Sequence, residues 1–430
     1  MAKDTGIDGA ADRRGIILPD VPGRGERLLE IQDRADRPAD DWSAWWQSFL
    51  RGAPLPAAST PRPLRVVELF CGSGGFGLGV SLAARGVGRR AWFERIVDTD
   101  AGALNVHARS LDVGRTVNAG VSSLVDYQIR RRQGCSRFAY DPEIIDPALD
   151  LGPDVDLLIA GPPCQGHSNL NNHTGRRDPR NDLFTCTVAV AIALRAKAVL
   201  IENVRTVTAS QGDVVGLARE LFEASGYTVA EDIVRADRLG WPQTRERYFM
   251  TALREDAAVA RLPEIRERDP QDVMWAIADL IDLEVATEPF DTAPVPSPEN
   301  RKRIDWLFEH DAHELDNSER PECHRDGTTY TAVYGRMYAD RPAPTITTGI
   351  GTPGQGRFIH PSRPRLVTPH EAARIQGFPD GYGFLEDGHV AKRKDLAKWI
   401  GDAVPTPMGY EMARRVFAAV ALGSDAGAYS

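Results

Sequence analysis

"LRVVELFCGSGGFGLG" spans residues 64–79 and combines a strand pattern, a glycine-rich turn and the start of a helix. The apolar residues at 64–70 predict a buried strand, and the residues after the glycines have the spacing of a helix. Gly72, Gly74 and Gly77 form the pattern G-x-G-x-x-G, which lets a backbone approach a bound cofactor closely. This order of elements predicts the first unit of a doubly wound α/β sheet.

Strands and helices alternate along the chain up to about residue 254. Strands are predicted at 64–70, 90–98, 155–160, 198–204, 227–234 and 247–252, and helices at 100–110, 183–196 and 213–225. The alternation predicts a doubly wound, mostly parallel sheet, which binds its ligands at the carboxyl ends of its strands. Four residues fall at or near such ends, and we expect them at one edge of the sheet: Glu68, Asp98, Cys164 and Glu202.

The remaining segments predict four regions in the chain. Residues 63–254 form the main part of the α/β domain, the irregular stretch 255–340 a smaller second domain, and 341–430 a return segment that completes the first. Residues 1–62 form an extension, in which Trp42, Trp45, Trp46 and Phe49 recur with helical spacing. We expect that aromatic face to pack on the body of the protein, with docking of a protein partner as the alternative.

Composition narrows the class of protein. The chain has 430 residues, of which 42% are hydrophobic, and we find no signal peptide or apolar stretch long enough for a membrane. Its five cysteines form no CxxC pair, which predicts neither a metal site nor a disulfide framework and favours the reducing cytoplasm.

The formal net charge of −9 argues against a nucleic-acid partner unless a basic cleft is segregated from an acidic body. Arginine and lysine do cluster locally, and each cluster alone is typical of a solvated face. The clusters are Arg176, Arg177 and Arg180; Arg235, Arg238, Arg245 and Arg247; and Arg301, Lys302 and Arg303.

Two kinds of cofactor suit the glycine-rich turn. Asp98 ends the next predicted strand and could hold ribose hydroxyls, so the pattern fits an NAD- or FAD-dependent oxidoreductase. S-adenosylmethionine has a ribose but no pyrophosphate, and it carries a cationic sulfonium. A carboxylate at Glu68 suits that cation better than a pyrophosphate, and so favours S-adenosylmethionine.

The stretch "GPPCQGHSN" (161–169) follows a predicted buried strand. Pro162 and Pro163 have fixed φ angles and no N–H group, so they hold Cys164 rigidly at the strand end. Such a cysteine is either a mounted nucleophile or a small buried thiol.

Six segments in this order resemble the DNA (cytosine-5)-methyltransferases. They are "ELFCGSGGFGLG" (68–79), "GPPCQGHSN", "ENV" (202–204), "QTRER" (243–247), "RPAPTITT" (341–348) and "IGDAVP" (400–405). The resemblance covers residues 64–420 and implies a class I, Rossmann-like methyltransferase fold with a smaller target recognition domain at 255–340. It implies transfer of a methyl group from S-adenosylmethionine to carbon 5 of a flipped cytosine in double-stranded DNA, with no metal, by a monomer.

The resemblance also implies roles for individual residues. The catalytic set is Cys164 as nucleophile, Glu202 on the ring nitrogen and amino group of cytosine, and Arg247 and Arg245 around the same base. Residues implied to bind the cofactor are Phe70, Gly72, Gly74, Gly75, Asp98, Pro162, Leu183 and Asp402. Residues 165–181 match the catalytic loop that closes on DNA, with Gln165, Ser168, Leu170, Arg176, Arg177 and Arg180 as DNA contacts.

The chain departs from the family pattern at the cofactor pocket. Thr99 stands where an aromatic side chain often stacks on adenine, residues 117–124 lack the usual acidic residue, and Asp402 replaces an asparagine. Two other functions stay open, an RNA cytosine-5 methyltransferase and an inactive DNA-binding relative. We expect a role in restriction-modification or phage defence, but base contacts in 255–340 follow no pattern that would predict a recognition sequence.

Overall fold

A computed structural model gives the fold of the chain. It describes residues 41–55, 57–60, 62–132, 135–152, 155–163, 182–209, 213–281, 287–325, 332–385 and 391–420. Cys164 and the predicted catalytic loop at 165–181 lie outside the described residues.

A central sheet organises the molecule. Its strand order is β3-β2-β1-β8-β9-β11-β10. The strands are β1 (Leu64–Leu69), β2 (Ala91–Asp98), β3 (Thr116–Asn118), β8 (Leu157–Ala160), β9 (Ala198–Asn203), β10 (Tyr227–Arg235) and β11 (Glu246–Arg254). Neighbours from β3 to β9 pair in parallel, and β11 is antiparallel to both β9 and β10. The sheet is therefore mostly parallel, as the alternation of strands and helices predicts.

Helices cover both faces of the sheet. The α-helices of the described residues are α1 (Asp41–Leu50), α2 (Gly75–Gly86), α3 (Ala101–Ser110), α4 (Asp182–Ala193), α5 (Val214–Ala224), α6 (Val273–Ile277), α7 (Pro298–Glu309), α8 (Pro369–Gln376), α9 (Arg393–Asp402) and α10 (Thr406–Ala419). One apolar core lies beneath α2, α3 and α10, and the other beneath α4 and α5. Strands β1, β8 and β9 are buried on both faces, and their sequences are therefore nearly continuous runs of apolar residues.

Between β3 and β8 the chain forms two short antiparallel pairs. One joins β4 (Val125–Asp126) to β7 (Glu143–Ile144), and the other joins β5 (Ile129–Arg132) to β6 (Cys135–Phe138). This insertion packs on the outer side of α5, where the Glu220 carboxylate accepts a hydrogen bond from the Ser136 N–H at 2.8 Å. The sequence analysis did not predict these strands, because none is longer than four residues.

Residues after β11 return to the sheet through α8, α9 and α10. Helix α8 begins with Thr368 as N-cap in a capping box with Glu371 and with Pro369 in the first turn. Helix α10 packs along α2, where a Cβ at Gly79 would lie 2.5 Å from the Thr406 carbonyl oxygen. The return segment therefore belongs to the same core as the glycine-rich turn. The helices that the structure describes include none long and apolar enough to cross a membrane.

Helix α1 carries the aromatic residues predicted from helical spacing. Trp46 is fully buried, and its ring centroid lies 5.0 Å from that of Trp241 and 5.7 Å from that of Tyr410. The Ser43 hydroxyl accepts a hydrogen bond from the Trp275 indole at 2.8 Å. The helix thus packs on the segment before β11, on α6 and on α10, which agrees with packing on the body of the protein.

We predict that Trp46→Ala lowers the free energy of unfolding by about 3–5 kcal/mol, because it empties a fully buried aromatic site. Trp45 on the same helix is 38% exposed and stacks on Phe49, so Trp45→Ala should cost less, about 0.5–1.5 kcal/mol. Urea titration followed by circular dichroism measures both. Equal losses would contradict the packing of α1 described above.

Candidate active site

The carboxyl ends of β1, β8 and β9 meet at one edge of the sheet. Gly161 follows β8, and a Cβ built on it would lie 3.7 Å from Glu202 Oε2 and 3.9 Å from the Phe70 carbonyl oxygen. Strand β11 runs in the opposite direction, so its first residues, including Arg247, lie at this same edge. The structure therefore brings together residues from four of the motifs that resemble the family: Phe70, Gly161, Glu202 and Arg247.

Glu202 forms a buried ion pair with Arg247. The Arg247 Nε atom lies 2.8 Å from Glu202 Oε1, and both side chains are largely buried. Burial raises the pKa of the Glu202 carboxyl, and the nearby charges of Arg247 and Arg245 offset that rise only in part. This carboxyl can therefore hold a proton at a higher pH than an exposed glutamate can.

Asn203 ties the end of β9 to the end of β8. Its side-chain nitrogen donates to the Pro162 carbonyl oxygen at 3.3 Å, and its side-chain oxygen accepts from the Val204 N–H at 2.8 Å. Pro162 itself is buried. The bond fixes the two strand ends relative to each other, two residues before Cys164. The motif "ENV" contains Asn203, but sequence reasoning gave this residue no role.

The segment before β11 is held by the return segment. Gln243 is fully buried; its amide donates to the Ile375 carbonyl oxygen at 3.0 Å and accepts from the Ile346 N–H at 3.1 Å. Arg245 Nη1 donates to the Ile346 carbonyl oxygen at 2.7 Å and to the Gly401 carbonyl oxygen at 3.2 Å. Arg245 thus fixes the chain at the start of β11 to the return segment, while Arg247 contacts Glu202.

The glycine-rich turn has the backbone that its sequence predicts. Gly72 and Gly74 have φ angles of +50° and +90°, in the left-handed region that favours glycine. Phe70 also has a positive φ, +53°. This backbone conformation is costly for an aromatic residue, and residues strained in this way cluster at functional sites. Gly75 opens α2, with Val404 and Phe378 of the return segment packed beside it.

Asp98 lies next to this turn. Its carboxylate accepts from the Gly72 N–H at 2.9 Å and from the Asp100 N–H at 2.8 Å. Asn118 ends the adjacent strand and donates to the Asp98 carbonyl oxygen at 3.0 Å. Thr99 is exposed beside this group. Asn118 is thus a polar side chain near the place where the sequence analysis found no acidic residue.

The structure corrects the sequence-based interpretation of Glu68. Its side chain is buried beneath α2, where a Cβ on Gly77 would lie 2.3 Å from Glu68 Oε2. Burial raises its pKa well above the ordinary value, although the Gly77 backbone hydrogen bond lowers it. This carboxyl is enclosed in the core, so it supports the turn from below and is not accessible to a sulfonium.

His107 is buried against Glu68, with its Nε2 atom 3.7 Å from Glu68 Oε2. Burial lowers the pKa of His107 to about 3 and raises that of the Glu68 carboxyl, so both shifts favour the neutral form of each group. Tyr382 from the return segment donates to the Ser73 carbonyl oxygen at 2.7 Å. His107 and Tyr382 were missed because no motif contains them.

Asp402 is the last residue of α9, directly before the residues that pack beside Gly75 in the glycine-rich turn. Its carboxylate is half-exposed and lies 3.6 Å from Lys398 Nζ. Lys398 and Trp399 both donate to Asp100, at 3.0 and 3.3 Å. Helix α9 therefore links Asp100, the residue after Thr99, to Asp402, which is predicted to contact the cofactor. Leu183 lies partly buried in the first turn of α4.

Several predicted residues fall outside the described part of the chain. Cys164 and all six predicted DNA contacts lie outside it: Gln165, Ser168, Leu170, Arg176, Arg177 and Arg180. Arg301 and Arg303, on α7, hydrogen-bond to carbonyl oxygens of Pro364 and Glu319. Within the described ranges, no three His, Cys, Asp or Glu side chains form a group that could hold a metal ion.

We predict that Gly77→Ala lowers the free energy of unfolding by about 1–3 kcal/mol, because its methyl group would collide with the buried Glu68 carboxyl. Gly86 ends the same helix with open space around it, so Gly86→Ala should leave stability unchanged or slightly higher. Urea titrations of both variants measure the difference. A loss at Gly86 equal to that at Gly77 would contradict the close approach of Glu68 to this helix.

Comparison with solved structures agrees with the fold. The chain superposes with a TM-score of 0.54 on a prophage-encoded chain from E. coli described as a candidate DNA modification methyltransferase, at 21% identity over 83% of this chain and 99% of that one. It superposes with a TM-score of 0.53 on the methyltransferase EhMeth of Entamoeba histolytica, at 16% identity over 83% and 98%. The class I methyltransferase fold predicted from the sequence is confirmed.

Comparison of sequences identifies the family. The family described as C-5 cytosine-specific DNA methylase matches residues 127–418. Type II methyltransferase M1.BsuMI of Bacillus subtilis (strain 168) is 37% identical over 95% of this chain and 93% of its own length. Type II methylase M.HgiDII of Herpetosiphon aurantiacus is 27% identical over 82% and 94%. The dinucleotide oxidoreductase and the RNA enzyme are therefore not favoured, and this chain belongs to the C-5 cytosine-specific DNA methylases.

Proposed function

We propose that this enzyme methylates carbon 5 of a flipped cytosine in double-stranded DNA through a covalent bond between Cys164 and carbon 6 of the ring. The buried ion pair of Glu202 and Arg247 at the carboxyl edge carries the proposal. It offers a carboxyl with a raised pKa and a fixed guanidinium. Strand β9, which ends at this pair, is separated from β1 and its glycine-rich turn only by β8, the strand that precedes Cys164.

The proposed chemistry starts at the cysteine. Carbon 5 of cytosine is a poor nucleophile until a thiolate adds to carbon 6 and converts the ring to an enamine. Glu202 donates a proton or hydrogen bond to the ring nitrogen N3, so that negative charge does not build up on the ring. Arg247 orients Glu202 and reaches the base carbonyl. After carbon 5 takes the methyl group, a base such as solvent water removes its proton, the electrons of that bond form the double bond between carbons 5 and 6, and the bond from carbon 6 to sulfur breaks to release the thiolate. Any proton that Glu202 gave to N3 returns to Glu202.

S-adenosylmethionine would supply the methyl group on an electrophilic sulfonium. The described residues fit such a nucleoside: Gly72 and Gly74 leave the backbone of the turn open, and the Asp98 carboxylate stands beside it for ribose hydroxyls. We assign the adenine contact to Phe70 and further cofactor contacts to Gly75, Pro162, Leu183 and Asp402. Asp402 is half-exposed beside Lys398, and this suits the charged methionine end of the cofactor.

DNA must present the cytosine outside the helix, because neither ring face is accessible in a duplex. Residues 165–181 would close on the DNA, with Gln165, Ser168 and the arginines 176, 177 and 180 on the backbone. Leu170 would fill the space left by the flipped base. We assign target recognition to the region 255–340 and completion of the catalytic domain to 341–430.

Two further assignments rest on the same family. The similar proteins named above are type II methyltransferases, and we propose that this enzyme protects host DNA in a restriction-modification system. We place it in the cytoplasm and propose that it acts on DNA as a monomer. The presence of Cys164, Glu202 and Arg247 in one chain argues against an inactive relative.

We predict that Cys164→Ser abolishes methyl transfer and leaves S-adenosylmethionine binding nearly unchanged. The thiol acts in the chemical step and is not among the residues predicted to bind the cofactor. Mass analysis of nucleosides after incubation with DNA measures turnover, and calorimetric titration measures cofactor binding. Retained 5-methylcytosine formation would contradict the assignment of the nucleophile.

We also predict an alkaline loss of rate that depends on Glu202. The protonated carboxyl is the active form, so the single-turnover rate is full below its raised pKa and falls as pH rises through it. Glu202→Gln should lower the rate by about 100-fold or more and remove that alkaline limb. Glu94→Gln, at a partly buried carboxylate paired with Arg65, is the control and should keep both the rate and the limb. An unchanged limb in Glu202→Gln would contradict the proton-donor role.

A further inference from the structure

A groove of about 320 Å³ continues the active-site edge beyond β11 and β10. Its rim carries three arginines that the proposed mechanism does not use: Arg205, Arg235 and Arg238. Arg205 comes two residues after Asn203, and Arg235 ends β10. The arginine cluster found in the sequence at 235–247 thus divides in two, with Arg245 and Arg247 turned into the pocket and Arg235 and Arg238 on the groove.

The position of the groove relative to the cytosine pocket follows from strand order. Along the edge, the glycine-rich turn and Asp98 belong to β1 and β2, Glu202 belongs to β9, and the groove lies past β11. Glu246, which contributes to the groove, stands between Arg245 and Arg247 in the chain. The glycine-rich turn occupies one side of the pocket, the side proposed for the cofactor. The groove lies on the other side, so a DNA strand that places its cytosine at Glu202 can continue along it.

Each arginine pairs with a carboxylate, but in two of the three pairs the arginine side chain is more exposed to solvent than its partner. The Arg205 side chain is 67% exposed and that of its partner Glu246 29%, with 3.0 Å between them. Arg235 is 40% exposed and its partner Asp237 13%. The carboxylates therefore orient the guanidinium groups from below and leave outward N–H groups for an anion. Arg238 and Glu267 are equally exposed, at 63% and 64%.

The floor of the groove is apolar. It consists of Val234, Leu239 and Ile265, with the exposed side chain of Ile233 beside them. A DNA backbone alternates anionic phosphates with largely apolar deoxyriboses, and a row of guanidinium groups above an aliphatic floor matches both. A free phosphate or an acidic peptide would use the cations but would have no need of the floor.

We propose that this groove, defined by Arg205, Arg235 and Arg238, binds the sugar-phosphate backbone of the DNA strand next to the flipped cytosine. The proposal rests on the proposed function and adds a DNA contact outside the predicted catalytic loop. The groove provides outward-facing guanidinium groups, each paired with a carboxylate, on an enzyme whose net charge is −9. Contacts of this kind carry no sequence information and weaken as salt rises, because they release counterions.

The test compares the double variant Arg205→Ala/Arg235→Ala with a matched control. A second groove of about 340 Å³ lies at the opposite, amino edge of the sheet and is lined by Arg62, Arg65 and Arg90. Arg62→Ala/Arg90→Ala removes the same charge there, far from Glu202. Binding of a DNA duplex is measured from 50 to 300 mM salt for the full-length protein and both variants.

We expect the groove variant to bind DNA more weakly and to show a shallower slope of log affinity against log salt. The slope should change by about 0.9 for each phosphate that the variant no longer neutralises. The control should keep the slope of the unmodified enzyme. The rate at saturating DNA and the affinity for S-adenosylmethionine should not change. An unchanged slope, or the same change in the control, would overturn the proposal.

A single change of opposite sign completes the experiment. Glu267 stands on the rim with its carboxylate as exposed as its partner Arg238, so it repels a phosphate at this site. Glu267→Gln should tighten DNA binding and steepen the salt slope. A purely structural role for the pair predicts weaker or unchanged binding instead, and either result would overturn the proposal. If the unmodified enzyme methylates no cytosine, the proposed function fails instead.

Discussion

The buried ion pair of Glu202 and Arg247 is the interaction on which the site depends. A carboxylate at this depth is costly unless a cation compensates it, and removal of one partner from a buried pair costs about 3–5 kcal/mol. Arg247 supplies that cation from the antiparallel strand β11, at 2.8 Å. The reversed strand is therefore necessary to the site, because it puts the first residues of one strand beside the last residues of its neighbour. Burial raises the pKa of this carboxyl more than the arginine charges lower it, so the carboxyl can hold a proton, as the proposed chemistry at cytosine N3 requires.

The pair is held in turn by segments that are distant in sequence. Gln243 and Arg245 bond to carbonyl and N–H groups of residues 346, 375 and 401, all in the return segment. Each buried backbone group would cost about 1–3 kcal/mol if left without its partner. The same segment reaches the glycine-rich turn through Tyr382 and Val404. The two halves of the site, which we propose for the cofactor and for cytosine, are thus supported by one segment of chain that returns after the region 255–340.

Much of this arrangement is predictable from sequence because it follows from periodicity and turn chemistry. Apolar runs predict six of the seven strands of the main sheet, all except the three-residue β3. The glycine-rich pattern predicts the turn, and strand order puts Asp98 and Glu202 at a common edge. Side-chain direction is harder to predict. Glu68 ends the same kind of strand as Asp98 but faces the core, and its partner His107 comes from a helix whose packing no local pattern reveals.

The arginine clusters show the same limit. Arg235, Arg238, Arg245 and Arg247 are indistinguishable as a sequence cluster, yet two line an outer groove and two brace the pocket. Their separation depends on where β10 ends and β11 begins, and on the bonds that fix the segment between them. The positioning role of Asn203 likewise cannot be predicted from the sequence, because it depends on contact with the residues that follow β8. Tertiary contacts, which a single sequence does not specify, decide all of these roles.

The central claim is that Cys164 forms a covalent bond with the cytosine ring. A DNA duplex in which the target cytosine carries fluorine at carbon 5 tests it directly, since carbon 5 then has no proton to lose and the bond to sulfur cannot break after methyl transfer. Incubation with S-adenosylmethionine, digestion and peptide mass analysis locate the attachment. We expect a methylated fluorocytosine adduct on the peptide that contains Cys164, dependent on S-adenosylmethionine. An adduct on another residue, or no adduct from an enzyme that methylates the unfluorinated duplex, would contradict the claim.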